Sequence, residues 1–414
     1  MKRVNRRQPL GSRGLRSLSV ILVALVAGTT ALAGCQSDAT KSSSGAKGGS
    51  GSGGDDTTSQ PTATITPALV AFSPKNGTSK VRLDKTVKIK VAQGTLAAVT
   101  VTTSKGKKVP GTLSADNLTW SSKTKLAPGT KYKLSVEAAA SDGSKTTKTS
   151  SFKTLTPKST ASAYIQPGDG WVVGVGMPVV VNFSRSVSTK NRDEVEDALT
   201  VKTTKDVEGS WRWISSEQVQ WRPKNYWPAN TKVKVTSNLA GVELQPGVWG
   251  TAKRTSDFDI GSKVISTVDV SGHKLIFRKN GKVIRTIPVT TGKASMATRN
   301  GIKVIMSRET VHHMRSSTIG IQKGDPDYYD ITARYAMRLT YSGEFLHAAP
   351  WSMGSQGRAN VSHGCTGMST ADARWVFNNS KVGDVVVYTN SNRALESGNG
   401  YTAWNMSYDR WKKA

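Results

Sequence analysis

From Ile65 to Thr154 apolar and polar residues alternate in short runs, and turn residues separate the runs. Val81 to Val91, Ala98 to Thr103 and Leu134 to Glu137 place apolar or β-branched side chains at every second position, the period of a strand with one buried face. Several such strands in one stretch predict a β-sandwich. The next hundred or so residues repeat the plan. Trp120 precedes Thr130-Lys131-Tyr132 by ten residues, after Leu126-Ala-Pro-Gly129, and Trp221 precedes Thr231-Lys232-Val233 by the same ten, after Trp227-Pro-Ala-Asn230. Both halves close on an extended segment, Ser151-Phe152-Lys153 and Asp257-Phe258-Asp259.

The pattern predicts a mainly β chain: two immunoglobulin-like sandwich modules, 65–156 and 157–260, without an inter-sheet disulfide. A third, β-rich domain covers 261–390. There Leu275 to Thr286 reads as a hairpin around Asn280-Gly281, since that dipeptide suits a two-residue turn with both φ angles positive. Val289 to Gly292 and Asn300 to Ile305 continue it, and Asp384 to Tyr388 reads as a last buried strand. Ser369-Thr-Ala-Asp372 has the spacing of a helix cap and predicts a short helix through Phe377. Trp404, Tyr408 and Trp411 are spaced along one helical face, so the tail, 391–414, is expected to pack back on the protein. Trp211, Trp213, Trp221 and Trp227 suit either core packing or sugar stacking, of which core packing is the commoner.

Charge and the N-terminal stretch decide the compartment. The 414 residues carry a formal +30, a surplus that often marks nucleic-acid binding. Residues 1–35 argue for export instead. Lys2, Arg3, Arg6, Arg7, Arg13 and Arg16 precede an apolar run from Leu18 to Ala31, which is followed by Leu32-Ala-Gly-Cys35. This is the order of a signal peptide, and its last four residues resemble a bacterial lipobox. That resemblance makes Cys35 the lipidated first residue of a membrane-anchored, extracytoplasmic protein. Residues 36–64, rich in Gly, Ser and Thr, read as a flexible tether. Outside the membrane the polyanions available are wall polymers and lipid head groups; no nucleic acid is expected as partner. Most lysines are read as solvated edge-strand residues.

The candidate chemistry lies in His347-Ala-Ala-Pro-Trp-Ser-Met-Gly-Ser-Gln-Gly-Arg-Ala-Asn-Val-Ser-His363-Gly364-Cys365-Thr366-Gly367, which holds two of five histidines and one of two cysteines. A thiol attacks as thiolate, so it needs a base within reach and donors for the oxyanion. Cys365 is the candidate nucleophile and His347 the base, with the amides around Gly364 and Cys365 as donors. A zinc site competes, but no acidic residue lies between His347 and Cys365, and closed zinc sites need four ligands. An inert buried thiol is the other alternative. His273, His312 and His313 fall outside the motif.

The pattern of His347, then Ser362-His363-Gly364-Cys365, resembles the catalytic motif of the L,D-transpeptidases (YkuD), and His347 to Gly357 resembles their actinobacterial branch. The resemblance implies a YkuD-type fold with a short helix after the cysteine. It implies Cys365 as nucleophile and His347 as base, with the Ala348 carbonyl fixing the imidazole tautomer and His363 and Gly364 in the oxyanion region. Met314 and Tyr329 would line a substrate channel under a lid, Ser342 and Gly343 would border the stem peptide, and Trp351, Ser362 and Gly367 would complete the pocket. Gly367 stands where many relatives carry asparagine. The implied activity joins peptidoglycan tetrapeptide stems to an acceptor amine as 3-3 cross-links, with no metal or cofactor and with susceptibility to carbapenems. An L,D-carboxypeptidase or exchange enzyme with the same nucleophile, or a non-catalytic wall-binding lipoprotein, remains open.

Overall fold

A computed structural model describes residues 66–413; the expected signal peptide, Cys35 and the tether lie outside them. The chain folds as mainly β structure. In the first module one sheet has the order Leu69–Ser73, Lys88–Ala92, Thr119–Ser122, Gly111–Leu113, and the other Thr95–Thr103, Lys131–Ala139, Lys145–Lys153. The alternation seen in the sequence becomes the two faces of each strand. In Lys131–Ala139 the tyrosine, leucine and valine point inward while Lys131 and Lys133 face solvent. Tyr132 stacks on Phe152 at 4.9 Å, and its hydroxyl accepts the Ala127 N–H at 2.7 Å, so the buried phenol keeps a partner.

The second module has sheets Val172–Val173, Lys253–Ile260, Lys232–Asn238, Leu199–Thr203 and Gly209–Ser215, Gln218–Pro223, Val179–Phe183, Ala163–Gln166, with a small third sheet from Glu243–Gln245, Val248–Gly250 and Ser159–Ala161. The two modules share a packing device. In the first, Gly111 pairs with Ser122, two residues after Trp120; in the second, Gly209 pairs with Pro223, two residues after Trp221. A Cβ at Gly111 would fall 2.0 Å from the Trp120 ring, and one at Gly209 1.9 Å from Trp221. In both, the indole lies across a neighbouring strand that only glycine leaves open. Trp213, Trp221 and Trp227 belong to the second module's buried core, with Trp211 packed against it. Their faces are therefore used inside the fold.

The third domain sets a six-stranded sheet, ordered Lys282–Pro288, Lys274–Lys279, Val264–Asp269, Val385–Thr389, Arg299–Val304, Arg393–Ala394, against a four-stranded one, ordered Ser307–Arg315, Asp330–Arg338, Phe345–Ala348, Thr366–Met368. Asn280 and Gly281 take φ of 51° and 83° at the hairpin tip, and Val385–Thr389 runs through the middle of its sheet. The helix Thr370–Asn379 starts where the cap residues place it: Ser369 Oγ accepts the Asp372 N–H. The tail departs from the expected single helix. It makes two short turns, Ala403–Asn405 and Tyr408–Trp411, broken at Met406 and Ser407, both in extended backbone. The three aromatics converge on Arg222 of the second module, whose guanidinium lies 4.9, 5.4 and 5.3 Å from the rings of Trp404, Tyr408 and Trp411. Among the described residues no helix is long and apolar enough to cross a membrane, and no cluster of His, Cys, Asp and Glu is arranged to hold a metal.

Candidate active site

Strand register brings the motif together. Phe345–Ala348 and Thr366–Met368 pair in parallel, His347 beside Gly367. Cys365 lies two residues before Gly367, and residues two apart in extended chain share a face. His347 and Cys365 accordingly line one cavity of about 310 Å³ with Met314, Tyr329, Trp351, Ser362 and His363. Ser342 and Gly343 line a second cavity of about 570 Å³, and Met314 and Tyr329 border both.

The imidazole is fixed by its surroundings. His347 is 5% exposed, and its Nδ1 lies 2.8 Å from the Ala348 carbonyl oxygen. That oxygen can only accept, so Nδ1 carries the proton and Nε2 keeps the lone pair. Burial holds the ring below its usual pKa, because desolvation disfavours the charged form. The result is a neutral base at pH 7. Trp351 stacks beside it at 5.9 Å.

The thiol is held un-ionised. Cys365 Sγ donates to the Gly343 carbonyl at 3.4 Å. Burial pushes its pKa up to about 12, against a smaller opposing effect from the Phe345 N–H. Free thiolate is thus scarce at rest, and ionisation has to accompany attack. Around the sulfur the backbone is pinned. Ser362 Oγ donates to the Cys365 carbonyl at 2.7 Å and accepts the Gly364 N–H at 3.1 Å. Thr298 Oγ1 donates to the Gly364 carbonyl at 2.8 Å, and Gly364 takes φ of 121°, a region that favours glycine. With the Gly364 N–H engaged by Ser362, the amide left to meet an oxyanion is that of Cys365, whose peptide plane Thr298 orients.

The remaining expected residues divide. The His363 ring faces the loop, tilted on Tyr329 at 5.0 Å with Nε2 3.3 Å from Asp327 Oδ1. Asp327 also pairs with Lys293. The loop's ends are closed by Ser316 N–H to the Tyr329 carbonyl and Tyr329 N–H to Ser316 Oγ, both 3.0 Å. Burial, with the nearby sulfur, raises Tyr329 to about 12, so its phenol stays a donor. Gly367 lines the cavity of Cys365, where a Cβ would sit 2.8 Å from that of Ala349, and its backbone pairs with Thr290 at 3.0 and 2.9 Å. Thr298, Asp327 and the buried pair Lys303–Glu344, 2.5 Å apart, were not among the residues expected from the sequence. Each acts through a partner far along the chain, and no local spacing marks them.

Comparisons with known proteins agree with this geometry. The family profile of the L,D-transpeptidase catalytic domain (YkuD) matches residues 263–387, and that of a bacterial Ig domain matches residues 78–243. L,D-transpeptidase 2 of Mycobacterium tuberculosis is 37% identical over 84% of this chain and 85% of its own length. L,D-transpeptidase 5 of the same species is 33% identical over 83% and 76%. A solved structure of the LD transpeptidase LdtMt1 in complex with imipenem is 38% identical, over 56% of this chain and 100% of that chain, with a TM-score of 0.49. With a relative this similar over most of both lengths, the chain belongs to the L,D-transpeptidase family.

Proposed function

We propose that this enzyme forms 3-3 cross-links in peptidoglycan, taking a tetrapeptide stem as donor and an amine of a neighbouring stem as acceptor. The observation that carries the reading is the placement of His347, in one of two parallel strands, and Cys365, immediately before the other, in one cavity, with His347 Nδ1 committed to the Ala348 carbonyl. His347 Nε2 takes the thiol proton as Sγ attacks the carbonyl carbon before the terminal D-alanine. The oxyanion meets the Cys365 N–H, with Tyr329 as a second donor. As the C–N bond breaks, His347 returns the proton to the departing D-alanine amine, leaving a thioester. The acceptor amine attacks that thioester and gives its proton to His347, and the thiol re-forms. His363, Ser362, Gly364, Met314, Ser342, Gly343, Trp351 and Gly367 shape the two cavities and the turn around the sulfur.

Purified protein incubated with tetrapeptide stems should give a cross-linked dimer by mass spectrometry. Tripeptide alone would make it a carboxypeptidase, and wall binding with no acyl-enzyme would favour an inert binding protein. A carbapenem should add its mass to the wild type and not to Cys365→Ala. Because burial lowers His347, the acid limb of the rate profile should lie below pH 6.5, the ordinary value for His; a limb above that would contradict the assignment. The reading places the enzyme outside the membrane, anchored through Cys35 and facing wall polymers. Fatty-acid labelling that is lost in Cys35→Ala is the test of the anchor.

A further inference from the structure

A second charged group stands behind the nucleophile, unused by the scheme above. Glu344 lies between Gly343, whose carbonyl accepts the thiol hydrogen bond, and Phe345. Its carboxylate is buried and accepts from Lys303 Nζ at 2.5 Å, from the Arg299 N–H at 2.9 Å and from Arg299 Nη1 at 3.1 Å. On one side it packs against Gly364: a Cβ built there would meet Glu344 Cγ at 3.6 Å. On the other side Lys303, fully buried, sets its ammonium 3.6 Å from the centre of the Tyr388 ring. The hydroxyl of Tyr388 bonds Thr366 Oγ1 at 2.7 Å. The pair thereby touches the residue before Cys365 directly and the residue after it through Tyr388.

Buried ion pairs seldom stabilise a fold on balance, because desolvation offsets the attraction, so stability alone is a poor reason for this one. Resting on the reading of Cys365 as nucleophile, we propose that Glu344 and Lys303 are positioning residues that set the charge around its sulfur. The carboxylate holds the turn carrying the Gly343 carbonyl and adds to burial in keeping the thiol protonated at rest. The ammonium offsets the negative sulfur while His347 holds the proton. The other charged or titratable groups around the sulfur are Arg338 and His312, packed on Phe345 at 4.3 and 4.8 Å, Arg299 on the Glu344 carboxylate, and Tyr329, Tyr388, His347 and His363. Arg338 and Lys303 favour the thiolate and Glu344 opposes it.

Removing the ammonium alone should then slow the thiol, and removing the carboxylate as well should restore it, which a purely structural ion pair would not do. The test is the rate of Cys365 alkylation by iodoacetamide at pH 7.5, a readout that needs no stem peptide. Lys303→Met leaves Glu344 charged on Arg299 and should alkylate several-fold more slowly, and the double variant with Glu344→Gln should return close to wild type. Glu344→Gln alone also discharges Lys303, which burial already lowers to about 8, and should stay within about twofold of wild type. Thermal melts followed by circular dichroism check folding, and if Lys303→Met does not fold, Lys303→Gln takes its place. An unchanged rate in the folded Lys303 variant, or a double variant as slow as that variant, overturns the proposal while leaving the transpeptidase assignment to its own product assay.

Discussion

The two joints between the three domains are built from opposite materials. Between the immunoglobulin-like modules the contacts are charged and partly wet. Arg82 reaches across to Glu243 at 2.7 Å and lies over Trp249 at 5.0 Å, and Lys125 pairs with Glu194 with both side chains more than a third exposed. Between the second module and the catalytic domain the contacts are backbone and apolar. Gly174 N–H donates to the Val382 carbonyl and Gly176 N–H to that of Gly383, both at 2.8 Å. Val385 of the catalytic sheet belongs to the second module's core, and Ile265, Ile302 and Val387 pack against it. The tail closes the joint: Trp404 Nε1 donates to the Gly176 carbonyl at 2.8 Å and Trp411 Nε1 to that of Ser210 at 2.9 Å, while Arg222 Nη2 holds the Met406 carbonyl at 2.8 Å. Exposed ion pairs contribute little and weaken with salt, whereas a shared dry core resists opening. The second module should therefore move with the catalytic domain, and the first should move on its own.

Calorimetry can break this comparison. The wild type should melt in two steps, the first module separately and the other two domains together. The largest effect is expected from Trp411→Ala, which empties a buried site under Arg222 and should cost about 3–5 kcal/mol, splitting the joint transition; a melt that stays joined would refute the tail's role. Next is Asp384→Asn. This carboxyl is buried at the joint beside Gly174, its Oδ1 without a hydrogen-bond partner among the described residues, and burial raises it to about 7 from 3.8. The folded state thus holds the proton more tightly than the unfolded one. Stability is full below about pH 4 and falls as pH climbs through 7. The asparagine variant should gain about 2 kcal/mol at pH 8 and nothing near pH 4; equal melts at pH 8 would refute it. The smallest effect belongs to Arg82→Ala, below about 1 kcal/mol and shrinking further with salt.

The sequence disclosed what depends on near neighbours. The Asn280-Gly281 turn, the Ser369 cap and the strand alternation are local, and each reappears in the fold. The parallel register that sets His347 beside Gly367 is not local, and the motif's resemblance to a family stood in for it. Lys303 shows the limit. In the run Asn300 to Ile305 a lysine reads as an outward-facing residue, yet it is buried, because its counter-charge arrives 41 residues later at Glu344. The tail misled for a related reason. Spacings of four and three suit one helix, but Trp404 and Trp411 each reach for a separate carbonyl on another domain, and the backbone breaks between them to satisfy both.

The protonated sulfur has a consequence of its own. Thiolates attack peroxides and disulfides far faster than thiols do. A cysteine that ionises only while passing its proton to a neighbour can wait, idle and undamaged, in an oxidising medium until a peptide fills the space above it.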